Sequence, residues 1–153
     1  MQGDKEYISL LKKGEYYCSK SEKCPDDLYK YLSKYSDNQD LIAKVISGLQ
    51  SDDYLNTDRY IKAYVNDKFR FDKWGKIKIA YNLKQKRLPE NKINEAISRI
   101  DMDAYIESLE ELIKFKSSSI REKDLYKRKA SIVRYCISKG FEYELIFKFL
   151  DNQ

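Results

Sequence analysis

The residues best placed to do chemistry are crowded between positions 68 and 87. Eight bases stand there, Lys68, Arg70, Lys73, Lys76, Lys78, Lys84, Lys86 and Arg87, against one acid, Asp72. Phe69, Phe71, Trp74 and Tyr81 lie among them. Ammonium and guanidinium groups neutralise phosphate or carboxylate, and exposed rings stack on bases, so this mixture suits a polyanion or an acidic protein surface. The same residues also suit a solvated helix face whose aromatics turn inward. The helical spacing of Phe69 and Trp74 to Val65 and Ile77 assigns those two rings to the core. Lys68, Arg70, Lys73, Lys76, Lys78, Lys84 and Arg87 are the candidate binding residues.

Other chemistry is poorly represented. Histidine is absent, which removes a Ser-His-Asp triad, a Cys-His pair and any histidine metal ligand. Cys18, Cys24 and Cys136 have no CxxC spacing and are expected to be reduced thiols. Cys24, next to Pro25, reads as a helix start rather than a nucleophile. The glycines form neither a Walker A loop nor GxGxxG. Asp101, Asp103, Glu107, Glu110 and Glu111 read as acids favouring the positive end of a helix dipole. No catalytic residue, metal or cofactor is therefore expected. No apolar run approaches the roughly 18–20 residues of a membrane span. The start of the chain is polar, so a cytoplasmic protein is expected.

Helices must position the basic stretch. Of 153 residues, 42% are hydrophobic and 36% charged, with only 5 glycines and 2 prolines. Turn-rich β folds need more of both, so the chain reads as all-α. It also repeats. Shifted by one repeat, Leu28, Leu32, Ile42 and Ile46 fall on Ile79, Leu83, Ile93 and Ile97. A second shift brings these onto Ile132, Cys136, Ile146 and Leu150. Three tandem three-helix repeats are predicted, over 1–51, 52–100 and 101–153, stacked in an elongated, curved array.

In the middle copy Asn56, Thr57 and Asp58 offer an N-cap, Trp74-Gly75 ends a helix, and Pro89 suits the first position of the next. In the first copy Ser36 and Gln39 fit a capping box. In the third, Ser117-Ser118-Ser119 reads as a flexible joint and Gly140 as a left-handed helix stop. Residues 1–51 carry 8 bases and 8 acids, 52–100 carry 12 and 7, and 101–153 carry 10 and 10. The whole excess of +5 thus lies in the middle copy.

The stretch from Asp52 to Val65 resembles the "gyldDerfa.afv" segment of the RecX regulatory proteins. Trp74 to Ile79 is similar to the family's "GprrI", Leu83 to Leu88 to its "L..kGi", and Tyr135 to Ile146 to its "fL.rrGFsyeiI". The resemblance runs over about residues 16–151. It departs at Tyr17–Leu28, where many members have "lL.rr.rS..El"; with fewer arginines there, a weaker or shifted contact by the first copy is expected. Pro89-Glu90 is a local departure. The resemblance implies an array of three-helix repeats without an active site, and a monomer is expected. It implies binding along the groove of the RecA recombinase filament. That binding would restrain filament growth, ATP hydrolysis, strand exchange and the coprotease activity of the SOS response in DNA repair and recombination. Some such proteins also contact DNA. The competing reading is a stand-alone single- or double-stranded DNA-binding protein that acts by competing for DNA.

Overall fold

The computed structural model describes residues 2–151. The described residues form nine helices and no strand: α1 (Gln2–Lys20), α2 (Pro25–Leu32), α3 (Gln39–Ser51), α4 (Thr57–Arg70), α5 (Lys76–Gln85), α6 (Glu90–Ser98), α7 (Met102–Ser119), α8 (Leu125–Ser138) and α9 (Tyr143–Leu150). The fold is all-α, built of three-helix repeats.

Burial explains why the repeat is visible in sequence. Leu28, Ile79 and Ile132 are all buried, as are Leu32, Leu83 and Cys136, and Ile42, Ile93 and Ile146. One apolar side chain per helical turn, held at the same place in each copy, supplies the core that an isolated helix of 8 to 14 residues lacks.

The chain packs as two compact units. One gathers the chain up to Ala63 together with Lys86–Leu88. Its core is Leu10, Leu28, Leu32, Ile42, Val45, Ile46, Leu49 and Leu55. The other takes Tyr64–Gln85 and the chain from Pro89 onward. Its core joins Tyr105, Leu109, Leu112, Ile113, Ile132, Cys136, Phe141, Ile146 and Leu150, with Phe69 and Ile100 packed against them.

Helix starts follow from short polar side chains. Asn56 Oδ1 accepts from the Arg59 amide, Asp101 from Ala104 and Asp124 from Lys127. These bonds satisfy amides a first turn would leave unpaired. Cys24 stands before α2 with Pro25 at its first position, and the Asp27 carboxylate accepts from the Cys24 amide.

Three local expectations need correction. Asn38, not Ser36, caps α3 and accepts from Leu41; Ser36 accepts from the Asn38 amide and donates to Glu6. Pro89 is the cap residue of α6 rather than its first helical residue, because its φ of −61° and ψ of 127° are extended. Ser117–Ser119 is the last turn of α7 and no joint. The Ser118 and Ser119 hydroxyls donate to the Phe115 and Lys116 carbonyls, and Arg128 donates to the Ser117 carbonyl, so the helix end is tied down.

Candidate polyanion-binding site

The basic stretch begins where α4 ends. Lys73 has a φ of 58°, the left-handed conformation that reverses the chain, and the Trp74 amide returns to the Lys68 carbonyl at 2.9 Å. The link is then held from the third repeat. The Gly75 amide donates to Lys139 O at 2.7 Å, and the Ile77 amide to Gly140 O at 3.0 Å. Only glycine fits at 75, since a Cβ there would lie 2.4 Å from the Gly140 carbonyl carbon. Gly140 has a φ of +97° and ends α8 as the sequence suggests, with the Gly140 and Phe141 amides donating to Ile137 O and Cys136 O.

This junction fixes Trp74, which is half-buried, between two lysines. Lys68 Nζ lies 4.7 Å and Lys78 Nζ 4.4 Å from its ring centre. Lys68 also pairs with Asp72 at 3.0 Å, and Lys78 Nζ reaches Ser138 O at 3.4 Å. Lys76 Nζ sits 4.9 Å over the Tyr105 ring. The Tyr105 hydroxyl accepts from the Lys76 amide and donates to Glu142. Burial, then the bond to the Glu142 carboxylate, pushes the Tyr105 phenol far up, so it remains a donor.

The seven candidate residues therefore part company. Lys68, Lys76 and Lys78 are engaged with rings at the junction. Lys84 pairs with Glu90 at 3.2 Å. Arg70, the last residue of α4, and Lys73, on the α4–α5 link, are exposed, with no carboxylate paired to either among the described residues. Arg87 is also exposed, belongs to the other unit, and has a φ of 61°. Of the interleaved rings, Phe69 packs on Tyr105 with centres 5.9 Å apart, in line with its spacing. Trp74 is only half-buried, and Phe71 and Tyr81 are exposed.

Two groups escape a sequence reading. Lys139 donates to the Asp72 carbonyl at 3.1 Å and adds a cation to the junction. Glu142 anchors Tyr105. Their only sequence signal is the Lys-Gly-Phe-Glu run around the helix stop. Lys86, by contrast, is structural. It pairs with Asp27 at 2.8 Å and lies over Tyr60.

Burial pushes the Cys24 and Cys136 thiols up to about 11. All three cysteines are free. Among the described residues no group of three metal-ligating side chains could hold an ion. No described helix is long and apolar enough to cross a membrane.

The chain is similar to known proteins over nearly its whole length. A family profile described as "RecX, second three-helix domain" matches residues 58–97, and "RecX, third three-helix domain" matches 103–150. A "Regulatory protein RecX" of Clostridioides difficile is 29% identical over 149 residues, covering 97% of this chain and 70% of the relative. Its namesake in Clostridium acetobutylicum is 28% identical over 144 residues, covering 92% of this chain and 66% of the relative. The crystal structure of RecX from Lactobacillus salivarius superposes with a TM-score of 0.84 at 19% identity, covering 98% of this chain and 99% of that one.

Proposed function

Because this chain belongs to the RecX family, we propose that it binds the RecA recombinase filament and restrains its growth, ATPase, strand exchange and coprotease activity. Family membership carries this reading. The repeats 1–51, 52–100 and 101–153 are its working segments, in a cytoplasmic protein acting as a monomer without a cofactor. The middle repeat supplies the contact. Arg70 and Lys73 lead it, because they are exposed and spend no charge on a neighbouring carboxylate. Lys76, Lys78 and Arg87 add positive potential, and Lys68 and Lys84 contribute less while paired to Asp72 and Glu90. Such a field raises the rate of encounter with an acidic surface and falls with salt.

The test is single-strand-dependent ATP hydrolysis by RecA with this protein well below the RecA concentration. Slowing at low ratios is the expected result. Arg70→Glu with Lys73→Glu is expected to raise the half-inhibiting concentration by about tenfold, or about 1.4 kcal/mol. Unchanged inhibition would remove the assignment of these residues. Slowing only once the protein could coat the strand would replace filament binding with competition for DNA.

A further inference from the structure

By composition the first repeat is electrically neutral, but its charges are not evenly spent. Three carboxylates just before and at the start of α2 are all paired. Glu22 takes Arg59 at 2.9 Å, Asp26 takes Lys30 at 3.1 Å, and Asp27 takes Lys86 at 2.8 Å and the Cys24 amide. Two of those cations, Arg59 and Lys86, come from the middle stretch of sequence. Lysines of the first repeat are thereby left over. Lys13, Lys20, Lys23 and Lys34 pair with no carboxylate among the described residues; instead each lies over a tyrosine. Lys13 Nζ is 5.1 Å from the Tyr35 ring centre, Lys20 4.5 Å from Tyr16, Lys23 4.6 Å from Tyr17 and Lys34 6.0 Å from Tyr31.

Three of the four rings, Tyr17, Tyr31 and Tyr35, form a continuous set. Tyr17 of α1 stacks on Tyr31 of α2, with centres 4.1 Å apart and planes 7° from parallel. Tyr31 meets Tyr35 edge-on at 5.5 Å. Tyr16 precedes Tyr17 on α1 and carries Lys20 over its ring. The inner pair is half-buried and braced by its own stacking. The outer two are open, Tyr16 at 60% and Tyr35 at 53% exposure.

We propose that this tyrosine–lysine face of α1 and α2 is a second binding site, and that its ligand is single-stranded nucleic acid. The two ingredients answer to the two parts of that ligand. Unpaired bases present π-faces that stack on Tyr16 and Tyr35, and the backbone presents phosphates to the four ammoniums. A cation over an exposed ring is held weakly, so a phosphate draws it aside and uncovers the ring. A duplex keeps its base faces covered. An acidic protein surface would use the ammoniums and leave the rings without a role. The site shares no residue with the middle-repeat contact and does not rest on that reading.

The experiment is fluorescence anisotropy of a fluorescein-labelled oligothymidylate of about 20 nucleotides, chosen to span more than one site, with the full chain. A duplex of equal length and polyglutamate serve as competitors. Tyr16→Ala with Tyr35→Ala is expected to weaken oligothymidylate binding by about tenfold or more, while Tyr16→Phe with Tyr35→Phe keeps it, since the ring is what stacks. Lys20→Glu with Lys34→Glu is expected to weaken binding and flatten its salt dependence. These side chains are at the surface, and unchanged helical circular dichroism confirms an intact fold. Wild-type binding by the alanine pair would overturn the proposal. So would equally effective competition by the duplex or polyglutamate, or binding lost only on Arg70→Glu with Lys73→Glu.

Discussion

Lysines lie over aromatic rings both around Trp74 and on the first-repeat tyrosines, and these two surfaces hold their charge differently. Around Trp74 the ammoniums are built in: Lys68 is paired to Asp72, and Lys78 reaches a carbonyl of α8. Around α1 and α2 the lysines touch rings but no carboxylate, while three of the repeat's acids are occupied by Arg59, Lys30 and Lys86. The middle repeat has the larger net charge and spends much of it on structure. The first repeat has none by count and leaves more of it free. Net charge per segment is thus a poor guide to which cations a partner can reach; what matters is where each counter-charge folds to.

The Trp74 surface is most vulnerable at Gly75. Gly75→Ala puts a methyl group 2.4 Å from the Gly140 backbone and removes the frame that holds Trp74, without altering any residue of the tyrosine–lysine face. A loss of about 3 kcal/mol is expected, lowering Tm by about 6–12 °C, with Trp74 emission moving to the red. An unchanged Tm would show that this close approach is not needed.

Asp27→Asn attacks the other side, by releasing one of the cations that silence the first-repeat acids. Burial pushes the Asp27 carboxyl up, but the bonds from Lys86 and from the Cys24 amide outweigh it, and the group titrates below its ordinary value. Its stabilisation is therefore present above about pH 4 and lost as pH falls through the lowered folded-state value. At pH 7 the variant is expected to lose about 2 kcal/mol in urea unfolding. The gap between variant and wild type should close below about pH 4. A gap independent of pH would mean that packing rather than charge is at work.

Amine labelling sharpens the contrast between engaged and free lysines. For Lys86, burial works to lower the ammonium, but the bonds to Asp27 and Tyr60 outweigh it and raise it well above the ordinary lysine value. Only the neutral amine reacts, so Lys86 is expected to be acylated at least about tenfold more slowly at pH 8 than Lys20 or Lys34. Peptide mass spectrometry reads this directly, and equal rates would contradict the division drawn here.

The smallest effect lies at Arg87, which has a φ of 61° where the motif similar to this segment carries glycine. Arg87→Gly is expected to stabilise the chain by about 1 kcal/mol in thermal unfolding, by relieving the left-handed strain. Its effect on RecA inhibition then isolates the guanidinium from any loss of fold. A destabilised variant would show that the Arg87 side chain holds structure of its own.

Much of the fold was legible in the residues. The apolar series from Leu28 to Ile46, repeated from Ile79 and again from Ile132, prescribes three copies of a helical unit, since helical period and core position are properties of local sequence. Asn56, Pro25 and Gly140 mark their helix ends because cap and left-handed conformations have short-range chemical requirements. Ser36 and Ser117–Ser119 misled because hydroxyls serve caps, helix ends and loops alike. The choice among these was made by distant partners, Glu6 and Arg128. The basic stretch at 68–87 was plain, but its division into engaged and exposed cations was not. Only the folded chain brings Lys139 and Gly140 to the α4–α5 link, Arg59 to Glu22 or Lys86 to Asp27. Local sequence determined where helices run and which faces they bury. Tertiary structure decided which charges stay available wherever the partner lies tens of residues away, as Glu22 does from Arg59 and Asp27 from Lys86, because no local pattern records such a pair.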